Sequence, residues 1–391
     1  MIKEIVLDMH RTFQVIFSEI TLLSLLAFAP AIYGFFYAWP MLNQQVRQVP
    51  VAVVDQDHSA LSRTIIRYAN AHPNLQVHVV KDEQEAQQAL TQEDIHGYLL
   101  IPRYLLHDIV QEKNVHLPLH VDASYGLLNK AVSYGFMEVV GTVAAGVKMK
   151  KFIAQGLSKG QANTARDPLV VTQKAYYNTT QGYANYVLPA VSVVILQQTL
   201  LMAVAMVIAV FYQQGIARTT IRGWFSRFVS FSLFTFFMGV FYFGWFFYFQ
   251  GVARGGNFFG SVLLLILYTY CVALLGSLLG LLFKEPERCT YVMISVAMVF
   301  YFLSGVSWPE ELLPMPLSII RWLLPSTAAI NASLRLNQMG ATLYEVRSYY
   351  FILIGLIIFY GSLLYYVGVP HKKERMAKAQ VEGEENEMIK S

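Results

Sequence analysis

Charge is scarce in this chain. Asp, Glu, Lys and Arg make up 14% of its 391 residues, whereas 55% are hydrophobic. Soluble domains carry about 25% charged residues, so the deficit excludes an ordinary soluble enzyme. The net charge of +4 is too small for a nucleic-acid-binding surface. Cysteine is nearly absent: Cys271 and Cys289 lie in or beside apolar runs, where a thiol acts as a small packing group. The polar stretch between the first two apolar runs has none, so it must fold on its own core without a disulfide. No G-x-x-x-x-G-K-[ST] loop occurs, which excludes ATP binding by this chain. Internal repeats are missing too, which argues against an inverted-repeat secondary transporter. A cleavable leader is not expected. The first apolar run is long, Glu4, Asp8 and Glu19 precede it, and no small-x-small site follows, so it reads as a retained signal anchor.

What the chain has in abundance is long apolar runs, each able to cross about 30 Å of hydrocarbon as a helix. They fall at Ile20 to Trp39, Tyr186 to Tyr212, Phe228 to Phe249, Phe259 to Phe283, Thr290 to Ser307 and Tyr349 to Val369. The expected fold is an integral membrane α-helical protein with six transmembrane helices and an α/β extracytoplasmic domain inserted between helices one and two. Its expected parts are an amphipathic helix over 1–19, a first span over 20–40, the inserted domain with a helical stalk over 41–182, a five-helix bundle over 183–370 with short outer helices at 309–340, and a cytoplasmic tail over 371–391. Short loops set orientation through Lys and Arg. Arg218, Arg222 and Arg227 follow the second span, Lys284 and Arg288 the fourth, and His371-Lys372-Lys373 the sixth, while the loop after the third has only Arg254. That pattern places both termini in the cytoplasm and the insert outside. In the third span, phenylalanines all round read as lipid contact and packing.

Residues Ile2, Ile5, Val6, Met9, Phe13, Ile16 and Phe17 recur at helical spacing. They fit an interfacial helix or an extension of the first span equally well. In the insert, Val49 to Val54, Leu75 to Val80, Gly97 to Ile101 and Val115 to Val121 read as strands. Ser59 to Ala71, Asp82 to Thr91 and Arg103 to Gln111 read as helices, the first capped by Asp57 or Ser59. Gly126 to Leu157 reads as a long helix, and the acidic tail beyond Met376 has no apolar periodicity and is expected to be disordered. Asp55 and Asp57 are read as strand-end and cap groups rather than a metal pair. His116 and His120 flank Pro118 in a strand-like stretch and do not form a helical zinc pair.

Three segments carry candidate functional residues. In the loop from Gln213 to Phe225, a short helix would place Gly215, Ile216, Arg218, Arg222 and Trp224 below the membrane. Arg218 and Arg222 would then share one face, and Ile216 and Trp224 would be free to enter a partner's groove. The competing reading is ordinary positive-inside anchoring. Gln197 and Gln198 lie within the second span, where an amide needs a partner, either as packing glue or as a contact along a path. After the fifth span, Ser304, Gly305, Pro309, Glu310, Pro314 and Pro325 mark a segment whose prolines punctuate two short apolar helices, too short to span and suited to a re-entrant or flat-lying segment.

The Ser304-Gly305-x-x-x-Pro309-x-x-x-x-Pro314 stretch, the Leu324-Pro325-Ser326 that follows and the turn at Gly340 resemble the hallmark of type-2 ABC export permeases. The Asp55-Gln56-Asp57-His58-Ser59-x-x-Ser62-Arg63 run is similar to the insert of that family's long-insert branch. With the order of spans, the resemblance covers nearly the whole chain. It implies a transport subunit of a bacterial inner membrane, paired with a second permease copy (homodimer or related half). Two cytoplasmic ATPase subunits would bind the ATP and Mg, the chain holding no cofactor or metal, and loop 213–225 would be their coupling helix. Substrates of that branch are amphipathic drugs or lipid-like molecules, so multidrug efflux is implied, along with a periplasmic adaptor and an outer-membrane channel. No ionisable residue lies in the cores of the second to fifth spans, which argues against a proton relay. The rival readings are a membrane-anchored receptor or scaffold, for which five further spans are excessive, and a membrane enzyme, for which no convergent nucleophile or acid–base pair is present.

Overall fold

The computed structural model describes residues 2–41, 45–172, 174–179, 182–252, 257–305, 308 and 310–370. Arg254, Pro309 and the tail over 371–391 lie outside them. The chain divides into two compact units, Gln45–Lys174 and the remainder, Met1–Gln44 with Ala175–Ser391.

In the larger unit, α1 (Ile2–Ser18) is separated from α2 (Ile20–Ala38) by Glu19, whose backbone is extended. The two are therefore distinct helices rather than one continuous rod. Ile16 and Thr12 of α1 are buried, but Val6 and Phe17 are exposed, so the face turned to the bundle is narrower than the apolar periodicity implied. Helix α2 carries a π-helical stretch at Ser24–Phe28, just before Pro30. Tyr242 donates its phenolic hydrogen to the Pro30 carbonyl.

The smaller unit is a four-stranded sheet of order β2-β1-β3-β4. Its elements are β1 (Val49–Asp55), α3 (Ala60–Ala71), β2 (Leu75–Val80), α4 (Glu83–Thr91), β3 (Gly97–Ile101), α5 (Leu105–Val110), β4 (Leu119–Val121), α6 (Gly126–Ala154) and α7 (Lys159–Arg166). Strand β1 pairs in parallel with β2 and β3, and β4 closes antiparallel on β3. β1 is covered on both faces, which is why it reads as an unbroken apolar run. Val49, Val51 and Val53 pack beneath α3 and α6 with Ile65, Leu99 and Phe136, whereas Ala52 and Val54 meet Ala86 of α4 on the other side. The helix expected over 103–111 starts two residues late because Tyr104 is left-handed (φ 64°). Strand β4 keeps only three of its seven expected residues, with Pro118 immediately before it. The cap of α3 is Ser59, whose Oγ accepts from the Leu61 and Ser62 amides.

The remaining helices of the larger unit are α8 (Tyr183–Gln213), α9 (Ile221–Phe249), α10 (Phe258–Phe283), α11 (Pro286–Leu303), α12 (Met315–Ile320), α13 (Pro325–Asn337) and α14 (Leu343–Gly368). Among the described residues, five helices, α2, α8, α9, α10 and α14, are long and apolar enough to cross a membrane. The sixth expected span, α11, is not among them, because its polar opening leaves too little apolar helix. It has 18 residues and opens on Pro286-Glu287-Arg288. Its apolar part is about 22 Å long at 1.5 Å per residue. It stops where Ser304 gives way to Gly305 at φ 80°. Helix α8 is the centre of the unit and is buried along most of its length. Small residues bring α10 close to it: a Cβ on Gly280 would lie 2.5 Å from the Ala205 carbonyl oxygen, and one on Gly276 3.0 Å from the Val204 Cβ.

Candidate functional site

Residues 214–220 form a turn, not the short helix expected there; α8 ends at Gln213 and α9 begins at Ile221 with Thr220 as its cap. Arg218 therefore sits in the turn and Arg222 in the first turn of α9, so they do not share a helical face. Both are exposed, as is Gly215, whose φ of 73° suits a residue without a Cβ. Trp224 is not available to a partner: it is 4% exposed, donates its indole hydrogen to the Gly368 carbonyl at 3.1 Å and stacks on Phe228. Ile216 is half-buried against the bundle.

Arg227 fastens this turn, a role the sequence did not signal. Its guanidinium is 2% exposed and donates to the Ala217 and Ile216 carbonyls, at 2.7 Å each. The plane of charge lies 4.5 Å from the Phe211 ring centre and 5.1 Å from that of Trp224. A guanidinium suits such a site because it can donate in two directions while its face rests on aromatic carbon. The Thr219 amide donates to the Gly368 carbonyl at 3.2 Å. The ends of α8, α9 and α14 are thereby tied together through one turn. Gly223 leaves room for α1: a Cβ there would sit 2.5 Å from the Asp8 carboxylate.

Gln197 is fully buried, and its Oε1 accepts the Ser326 amide at 2.7 Å. This bond joins two segments that sequence reasoning treated separately, the polar pair in the second span and the proline-punctuated segment. Gln338 donates to the Asn185 carbonyl. From 185 to 197 and from 326 to 338 are both twelve residues, so α13 runs antiparallel to the first half of α8 over about 18 Å. Gln197 lies fourteen residues from Tyr183 and sixteen from Gln213, which puts the start of α13 level with the middle of α8. Gln198 faces α11 instead and donates to the Met293 carbonyl at 3.2 Å.

Helix α13 was expected to be apolar. It is instead built from small and polar residues, Ser326, Thr327, Ala328, Ala329, Ala332 and Ser333 among them, all buried. Glu310 pairs with Arg321, which is 4% exposed. Thr327 donates its hydroxyl to the Arg321 carbonyl at 2.7 Å, and Tyr360 of α14 donates to the Leu323 carbonyl at 2.5 Å. Ser304 caps the end of α11, its hydroxyl donating to the Tyr301 carbonyl. Gly305 lies beside the Arg321 guanidinium, and Pro314 and Pro325 stand at the starts of α12 and α13.

In the α/β unit, the run from Asp55 to Arg63 knots a strand end to a helix start. Asp55 Oδ1 accepts the Asp57 and His58 amides at 3.0 Å, and its Oδ2 accepts the Ser62 hydroxyl at 2.8 Å. Arg63 donates to the His58 carbonyl. His120 stacks on Tyr98 with ring centres 4.6 Å apart.

The family model described as ABC-2 family transporter protein matches residues 20–366. The chain belongs to that family. It is thus an ABC-2 type permease, the membrane transport subunit of an ABC system and not its catalytic part, and its family implies association with an ABC ATPase. No curated protein and no solved structure matches the chain.

Proposed function

We propose that this permease is half of an ATP-driven exporter that moves an amphipathic, drug-like or lipid-like substrate out of the cytoplasm or inner membrane. The observation that carries the reading is the turn at 214–220. It is exposed at Arg218, with Arg222 exposed just beyond it at the start of α9, yet clamped by Arg227 and Trp224 to the ends of three helices. A push on such a turn moves α8, α9 and α14 together instead of being absorbed locally.

In this reading the coupling surface is Gly215, Arg218 and Arg222. Ile216 and Trp224 serve behind it as the seat. Helix α11 completes six crossings, both termini face the cytoplasm, and the α/β unit stands outside as a docking point for an adaptor. A second copy of the chain and two ATPase subunits complete the transporter in a bacterial inner membrane.

The test is to purify the chain with a candidate ATPase. A stable complex is expected, with ATP turnover that responds to substrate and loses that response in Arg218→Glu and Arg222→Glu. Failure to associate with any ATPase, or a complex indifferent to both charge reversals, would sink the proposal.

A further inference from the structure

The start of α13 holds donors without acceptors. The Nε2 of Gln197 and the Oγ of Ser326 are both buried, and neither has a hydrogen-bond partner. Gln197 is 0% and Ser326 1% exposed. They belong to the two residues already joined by the bond from the Ser326 amide to Gln197 Oε1, so both open groups belong to one contact between α8 and α13. Arg321, just upstream, keeps its Nε and Nη1 hydrogens equally unpaired. An amide or hydroxyl left alone in an apolar medium is strongly unfavourable compared with one that is hydrogen-bonded. Donors left open in one place therefore define what the place can take, an oxygen acceptor.

Charge adds to this. Helix α13 is 13 residues long, and its first turn carries the positive end of the peptide dipoles. That end lies level with the middle of α8, the setting in which a broken helix receives the acidic group of a ligand. One turn farther along both helices, Val193 and Ala329 line a void of about 10 Å³, room for no more than a water, so a head group enters the start of α13 only as the seam between α8 and α13 parts.

We propose that the start of α13, with Gln197 Nε2 and Ser326 Oγ as donors, is a binding site for the anionic oxygen of an amphiphile, a phosphate or carboxylate head carried on an apolar chain. The inference rests on the exporter reading in one respect, that the amphiphile is the transported molecule. Gln197 then selects substrate rather than only joining helices.

The test uses the full-length chain alone, without ATPase, in nanodiscs of zwitterionic lipid. Its binding failure is thus separable from a failure of the exporter reading. Four probes are compared by thermophoresis: dodecyl phosphate, dodecyltrimethylammonium, dodecyl maltoside and inorganic phosphate. Dodecyl phosphate is expected to bind most tightly. Gln197→Leu and Ser326→Ala should each raise its Kd by about tenfold or more, the loss of one hydrogen bond to a charged group. Binding of dodecyltrimethylammonium should not change. Ser326→Ala keeps the backbone bond to Gln197 and suits a helix already rich in alanine, so it decides the matter if Gln197→Leu does not fold. Equal binding of the three amphiphiles, or an unchanged Kd for dodecyl phosphate in Ser326→Ala, overturns the site. Tightest binding of the maltoside overturns the anionic class, and inorganic phosphate binding as well as dodecyl phosphate overturns the amphiphile.

Discussion

Replacing Arg227 by Met keeps most of the side-chain volume and removes the donors. Two hydrogen bonds from a charged group to the carbonyls of Ala217 and Ile216 are lost, as are the ring contacts with Phe211 and Trp224. Each such bond is worth about 1.5–3 kcal/mol. The two carbonyls left without a donor cost about 1–3 kcal/mol each, and the apolar replacement returns part of the packing. At about 2–4 °C per kcal/mol for a unit of this size, the melting temperature should fall by roughly 10 °C. The chain contains its own reporter, because Cys271 and Cys289 are both fully buried and become reactive only on unfolding. A thiol-reactive fluorophore followed through a thermal ramp in detergent reads the change directly. Arg227→Lys keeps the charge but can satisfy one carbonyl well, so its melting point should lie between those of Met and Arg. A Met variant that melts within about 2 °C of the parent, a loss of under about 1 kcal/mol, would refute the claim that Arg227 holds the turn.

Three further perturbations follow from the same geometry. Gly280→Leu puts a Cβ 2.5 Å from the Ala205 carbonyl oxygen, a backbone atom that cannot step aside, so α8 and α10 must separate and the thiol-monitored melting point should drop; an unchanged value would show the two helices to be less closely packed. Ser62→Ala strips the hydroxyl from the buried Oδ2 of Asp55 and should cost about 1–3 kcal/mol, seen as faster hydrogen exchange through α3 and absent exchange changes elsewhere. Asp122 is held below the usual carboxylate range, chiefly by the hydrogen bond from the Ser124 amide. Its stabilising contribution is therefore present above the unfolded-state value of about 3.9 and is lost as pH falls through the lower folded value. Asp122→Asn should flatten that part of the acid-unfolding curve of the α/β unit, and an identical curve would count against the assignment.

The parts of the fold legible in the sequence are those governed by simple periodicity. Val49 to Val54 is apolar at every position because β1 is covered on both faces, and Ser59, one of the two caps considered with Asp57, marked the start of α3 because a hydroxyl before a helix has amides to accept from. The long apolar runs are α2, α8, α9, α10 and α14 for the same reason. What could not be read depends on contacts between distant residues. Arg227 looked like one more basic residue of a cytoplasmic loop, yet its partners lie ten and eleven residues back in the chain, across a turn whose shape no local pattern fixes. Trp224 looked like a hook for a partner because an exposed loop was assumed; its partner is Gly368, 144 residues away. Buried tyrosines gave a weak signal that was passed over. Tyr242, Tyr268, Tyr350 and Tyr360 each send a hydroxyl hydrogen to the backbone carbonyl of another segment, as a phenol in an apolar interior must.

Helix α13 shows most clearly why composition misleads in a buried seam. The proline-punctuated segment it belongs to was read as short apolar helices, re-entrant or flat-lying, yet Pro-Ser-Thr-Ala-Ala-Ile-Asn-Ala-Ser is small and polar and the helix is enclosed by α8, α10 and α14. Small side chains let those backbones approach, and hydroxyls and amides return their hydrogen bonds to nearby carbonyls, as Thr327 does to Arg321 and Asn331 to Thr327. The polar character is thus paid inward. Two amides, Gln197 and Gln338, then bind α13 to α8 at its two ends, while Arg227 and Trp224 bind the far end of α8 to the exposed turn. In the proposed cycle, α8 touches both the surface where force would enter and the buried start of α13, and α14 does so as well, through Gly368 at the turn and Tyr360 at the Leu323 carbonyl. A displacement of the turn by a partner can reach the Gln197–Ser326 bond without crossing any loop, and the same bond is where the two open donors lie.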